Sequence, residues 1–215
     1  SKDLIHWSEQ TWLEVMAHEG GALNCWAPEI YYDAATQKYL IFWSTTVPGR
    51  FPATEESGDG GPNSRKLNHR VYYVTTSDFA SYSDAKLFFD GGFNVIDATL
   101  VREADRYVLF VKDETKEPVA KKNIRIATAS RAEGPYGPAS EPFSPDWVEG
   151  PTALKIGPYW YVYYDAYTRH RMEGARSRDL VHWSSITEEL SFPAGVRHGT
   201  AFGVSNEILA ALKEN

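Results

Sequence analysis

The chain has 215 residues, a formal net charge of −7 and a pI of about 5.4. That length suits one substantial domain with its own core. The acidic balance argues against a nucleic-acid partner. The absence of any run of about 18 apolar residues argues against a membrane-spanning helix. A lone cysteine, Cys25, excludes an internal disulfide framework and is expected to be a small buried thiol. Residue 1 opens into Lys2-Asp3-Leu4 with no signal peptide visible. The expected location is therefore secreted or periplasmic if the full-length protein carries a signal peptide, and otherwise cytoplasmic.

The segment 1–25 reads as the tail of a repeat unit. Its Ser1-Lys2-Asp3-Leu4-Ile5-His6-Trp7-Ser8 recurs as Ser177-Arg178-Asp179-Leu180-Val181-His182-Trp183-Ser184, with a looser copy at Thr76–Ser83. Matching positions make His6 and His182 structural residues. The first full unit spans about 26–91 and opens on Trp26-Ala27-Pro28-Glu29-Ile30-Tyr31-Tyr32-Asp33, followed by the aromatic run Tyr39–Ser44. Its Gly-, Pro- and Asn-rich stretch 47–68 reads as an inserted loop.

The second unit spans about 94–143, from Asn94-Val95-Ile96-Asp97-Ala98-Thr99-Leu100 through the run Tyr107–Lys112. The third spans about 148–190, from Val148-Glu149-Gly150-Pro151-Thr152 through Tyr159–Tyr164. A partial unit, 197–215, begins with Arg197-His198-Gly199-Thr200 and ends in a short helix over 205–213 capped by Asn206. Asp97, Glu149 and His198 recur at intervals of about 50 residues, enough for four short strands each. The fold class predicted is all-β: a five-bladed β-propeller type with three complete blades and two partial ones. Open edges on the partial blades favour self-association.

In a propeller the innermost strands all run the same way along the central channel, so residues at their starts meet at one mouth. That layout gathers Glu29, Asp97, Glu149 and His198. Carboxylates so gathered are what glycoside hydrolysis needs, and an inverting pair stands roughly 6.5–9.5 Å apart. A nearby carboxylate or burial against Trp26, Trp147 or Tyr164 would raise the pKa of an acid there. Asp113 and Glu114 read as surface charges at a strand end. Trp26 is either core or a sugar-stacking face. Glu29 is either a structural partner or a substrate contact.

Taken in order and at blade spacing, Trp26-Ala27-Pro28-Glu29, Ile96-Asp97-Ala98, Glu149-Gly150-Pro151, the Ser-Lys/Arg-Asp-Leu-x-His-Trp repeat and Arg197-His198-Gly199-Thr200 resemble glycoside hydrolase family 43, over nearly the whole chain. The resemblance implies inverting, exo-acting hydrolysis by an α-L-arabinofuranosidase or β-xylosidase acting on plant cell-wall polysaccharides. Its partner would be an arabinose- or xylose-containing oligosaccharide. It places the proton donor at Glu149 and the carboxylate that tunes it at Asp97. It adds substrate contacts from Trp26, Glu29, Arg171 and Arg197, and a calcium ion near the channel axis beside His198. It matches no segment here for the water-activating Asp of the first blade, as though the N-terminal part were lacking. Asp33 and Asp165 are the residues that could stand in. The alternative is a truncated or inactive carbohydrate-binding propeller.

Overall fold

The computed structural model describes residues 1–55 and 66–214. Three antiparallel sheets stand side by side. The first contains β1 (Trp26–Asp33), β2 (Lys38–Thr46), β3 (His69–Thr76) and β4 (Lys86–Phe89), in that order. The second contains β5 (Val95–Glu103), β6 (Arg106–Asp113) and β7 (Asn123–Ala129). The third contains β8 (Glu149–Ile156), β9 (Tyr159–Ala166), β10 (Arg171–Ser177) and the two-residue β11 (Ser184–Ser185). Each sheet is a propeller blade with its first strand innermost. The fold is all-β and is a partial propeller.

Alternation along β6 shows how the blades pack. Successive strand residues face opposite sides. Tyr107, Leu109 and Val111 join a core shared with Leu40, Phe42 and Phe88 of the first blade. Val108 and Phe110 join a second core with Trp160, Val162 and Tyr164 of the third. The middle strand is therefore apolar on both faces, which explains its unbroken run of buried residues. On the first blade's other face, Trp43, Tyr72 and Val74 are covered by Val15, Met16 and Ala22. On the third blade's other face, half-buried Tyr159, Tyr161 and Tyr163 contact one another in series, and Tyr163 meets Phe192.

Several expectations need correction. The second blade has three regular strands, because its fourth, Gly137–Phe143, runs beside β7 with backbone N–H groups of Gly137, Ser140 and Phe143 donating to the carbonyls of Thr128, Ile126 and Ile124 and no regular ladder between them. Residues 1–25 and 197–205 form no strand. The terminal helix, α1 (Asn206–Glu214), is capped by Ser205, whose Oγ accepts from the Ile208 N–H at 3.3 Å, and not by Asn206. Cys25 is exposed, because it precedes β1 instead of lying inside it. The middle of the loop 47–68, residues 56–65, lies outside the described residues. No described helix is long and apolar enough to cross a membrane.

The repeated Ser/Thr-x-Asp segments are turns. Asp3 Oδ1 accepts from the N–H groups of Ile5 and His6, and Asp179 Oδ1 accepts likewise from Val181 and His182. Asp78 does the same for Ala80 and Ser81. In each, the residue after the Asp (Leu4, Phe79, Leu180) is left-handed. His6 and His182 each bond the same Asp through Nδ1 at 2.7 Å. Both imidazoles are exposed and serve the turn.

Candidate active site

One backbone device builds the mouth. Each innermost strand carries a one-residue bulge at its start. Ala27-Pro28 lie between the pairs Trp26–Ser44 and Glu29–Phe42. Asp97-Ala98 lie between Ile96–Lys112 and Thr99–Phe110, and Gly150-Pro151 between Glu149–Asp165 and Thr152–Tyr163. The first bulge residue is left-handed in all three, with φ of 46° at Ala27, 51° at Asp97 and 58° at Gly150. A bulge re-aims the side chains around it. Here it turns Asp97 and Glu149 toward each other across two blades.

Equivalent positions follow from this register. Glu149 matches Ile96 and Trp26; Asp97 matches Ala27 and Gly150; Glu29 matches Thr99 and Thr152. Glu29 is therefore displaced from the ring that holds the other two carboxylates. It lines a cavity of about 210 Å³ together with Asp97, Gly150, His198 and Thr200. Its carboxylate accepts from Thr200 Oγ1 at 3.2 Å, and burial raises its pKa.

Asp97 is 6% exposed, and its Oδ2 accepts from the Gly150 N–H at 2.9 Å. Ligand atoms of Asp97, Glu149 and His198 all lie within 4.8 Å of one another. Glu149 Oε1 accepts from His198 Nε2 at 3.1 Å and from Arg197 Nη2 at 3.0 Å, while Oε2 accepts from Lys112 Nζ at 2.9 Å. Arg197 Nε also bonds Asp165 at 2.5 Å. Gly150 is required twice over. Its φ is positive, and a Cβ there would stand 2.8 Å from the His198 ring.

The two central carboxyls are tuned apart. Burial raises the pKa of Asp97, against the opposing charges of Lys112 and His198. Burial would raise Glu149 too, but the bond from His198 and the ammonium of Lys112 outweigh it and hold Glu149 down to about 2. The bond to Glu149 raises His198 in turn. This reverses the expected direction for Glu149, because cations surround it where an apolar pocket was anticipated. Glu149 therefore stabilises the fold above its unfolded value near 4.5, and that contribution fades as pH falls from there toward about 2. His198, raised, stays charged through that window. Glu149→Gln should accordingly lower Tm at pH 6, and the gap from wild type should narrow steadily below about pH 4.5 and close only below about pH 2. Thermal scans across this range check it, and a gap independent of pH would contradict it.

The remaining candidates separate clearly. Arg197 and His198 reach Glu149. Trp26 is 44% exposed at the mouth, its ring 4.6 Å from that of buried His69. Arg171 sits at the start of β10, with its guanidinium on Glu173 and Glu188. It is not among the residues lining the central cavity. The two stand-in Asp residues lie at different distances from Glu149 along the sheets. Asp33 lies at the far end of β1, accepting from Tyr107 Oη and Thr36, and Asp165 is Glu149's cross-strand neighbour, tied to Arg197. Calcium prefers six to eight oxygen ligands. The Asp97–Glu149–His198 group offers an imidazole and a carboxylate already held by two cations, so this donor set does not fit it.

Sequence reasoning missed Lys112. It pairs with Ile96 across the second blade's bulge and is 1% exposed. The signal was present as the lysine that leads the charged group Lys112-Asp113-Glu114 directly after the apolar run Tyr107–Val111. Asp113 and Glu114, expected on the surface, are largely buried: Asp113 holds Arg125, and Glu114 bridges Lys112 and Lys122.

Blades carrying buried carboxylates at one mouth define a glycosidase-like propeller. The chain belongs to the family described as "Probable glycosyl hydrolase domain", related to glycoside hydrolase family 43, and the match covers residues 1–209. An α-L-arabinofuranosidase of Bifidobacterium longum is 30% identical over 90 residues, 41% of this chain and 8% of that protein. Among solved structures, a family 117 glycoside hydrolase of Zobellia galactanivorans shares the fold at a TM-score of 0.62 and 15% identity, over 86% of this chain and 62% of that one. A family 43 β-1,3-galactosidase does so at 0.56 and 19%, over 77% and 32%. The family 62 α-L-arabinofuranosidase domain of Coprinopsis cinerea does so at 0.53 and 12%, over 75% and 50%. The chain thus spans less than two thirds of each of these proteins.

Proposed function

We propose that the protein is an inverting, exo-acting glycosidase that removes α-L-arabinofuranosyl or β-xylosyl groups from plant cell-wall polysaccharides. The observation that carries this is the meeting of Asp97 and Glu149, from two blades, within 4.8 Å of each other and of His198. That distance is too short for a donor and base that must admit a water between them. It suits a proton donor, Glu149, above a buried carboxyl, Asp97, that fixes its orientation. Glu149, held down to about 2, and His198, raised, share a hydrogen bond whose proton rests on His198, so it must pass from His198 to Glu149 before Glu149 can act as the donor. Exposed Trp26 and Trp147 beside the mouth suit stacking against a sugar face.

The non-catalytic carbohydrate-binding reading has one observation in its favour. Glu149 is clamped by Lys112, Arg197 and His198, Asp33 is engaged by Tyr107 at the far end of its strand, and Asp165, beside Glu149, is engaged by the same Arg197. Proton NMR of hydrolysis in progress separates the readings. Aryl α-L-arabinofuranoside or β-xyloside should release first the anomer opposite in configuration. Retention would overturn the mechanism. Turnover of galactosides alone would overturn the sugar class. Binding without turnover would favour the second reading.

A further inference from the structure

Glu149 is held differently at its two oxygens. Oε1 meets Arg197 and His198, both on the segment after Val196, with side chains 62% and 42% exposed. Oε2 meets Lys112, whose side chain is 2% exposed. The Lys112 ammonium is itself fixed. It lies 2.7 Å from Glu114 Oε2 and 5.2 Å from the centre of the Tyr167 ring. Glu114 in turn holds Lys122. The result is a buried row, Glu149–Lys112–Glu114–Lys122, running from the mouth into the second blade.

We propose that Lys112 is a positioning residue for the proton donor: it anchors Glu149 Oε2 so that Oε1 faces the sugar. The inference rests on the proposed glycosidase reading and deepens it. A lysine buried in an apolar strand loses its hydration and much rotamer freedom. Simple cohesion would be served as well by the Ser44 that occupies the equivalent position in the first blade. At this position the charge has a direction. It meets the one oxygen of Glu149 that faces away from the exposed segment. Groups arriving at the mouth can then displace Arg197 from Oε1 without freeing the carboxylate to rotate. Orientation of a reacting group within a fraction of an ångström is worth large rate factors.

The test compares Lys112→Met, Lys112→Arg and the double variant Lys112→Met/Glu114→Gln with wild type. In the single variant Glu114 keeps Lys122 but loses its second cation; the double variant removes that excess buried negative charge while leaving an amide oxygen for Lys122, and so guards against unfolding of the single variant. Initial rates are measured on an alkyl glycoside, a poor leaving group, and on a dinitrophenyl glycoside. For the methionine variants, kcat on the alkyl substrate should fall about 100-fold. The loss on the activated substrate should be much smaller, KM should stay within about twofold, and Lys112→Arg should recover part of the rate. Equal loss on both substrates, or kcat within about threefold of wild type, would overturn the positioning role alone. A wild type without turnover on either substrate overturns the glycosidase reading and this proposal with it.

Discussion

Replacing Glu149 by Gln is expected to lower hydrolysis of alkyl arabinofuranosides or xylosides by 10²–10⁴-fold, the range typical of a lost general acid. The amide keeps the shape and can still face His198, but it cannot deliver a proton to the departing oxygen. Substrates with dinitrophenolate leaving groups need little protonation, so their loss should be markedly smaller. Binding of free arabinose or xylose should change little, because the sugar face is met by neighbouring groups. Parallel kinetics on the two substrate kinds, with calorimetric titration of the sugar, checks this. Equal loss on both would remove Glu149 from the donor role, even if activity vanished.

Phe110→Ala should destabilise the fold by about 3–5 kcal/mol, the usual range for a large aromatic removed from a core. Phe110 is fully buried on β6 and faces the third blade. Its ring sits edge-on to Phe143 at 6.0 Å and to Trp183 at 6.2 Å, and those two stack on each other at 4.3 Å. Stiff rings already in contact cannot collapse into the vacated space, so most of the cavity should persist. Urea unfolding of wild type and variant gives the difference directly. A loss below about 1.5 kcal/mol would mean that the two blades are held by something other than this aromatic wedge.

The blades were legible because their physics is local. Two-residue alternation and aromatic runs mark strands such as β6 and β9, and a repeat of about 50 residues marks their grouping. The bulges were less legible, because each is a matter of register between strands. Glu29 looked equivalent to Asp97 and Glu149 by being an acid near a strand start. The shared proline says otherwise: Pro28 matches Pro151, which sets Glu29 against Thr152. The cations around Glu149 were hidden for a different reason. Lys112 comes from a neighbouring blade and Arg197 from a segment without regular structure, so neither contact has a local signature. An apolar pocket was the natural expectation for an acid with a raised pKa. The structure instead gives Glu149 charged company and leaves the desolvated environment to Asp97.

The three bulges make the mouth a set of interchangeable sockets. Each blade presents the same kinked backbone but fills it with different side chains: Trp26 and Ala27, Ile96 and Asp97, Glu149 and Gly150. The kink follows from strand pairing farther down each sheet, so side chains at the first socket position can be exchanged without remaking it, at a cost in stability where they are held, as Glu149 is by Lys112 and Ile96 by burial. The second position is more constrained, since left-handed backbone favours Gly, Asn or Asp over branched residues. Chemistry at this mouth is therefore open to change by single substitutions, one blade at a time. A library confined to residues 26, 96 and 149 would sample different reactions and sugars on one unaltered frame.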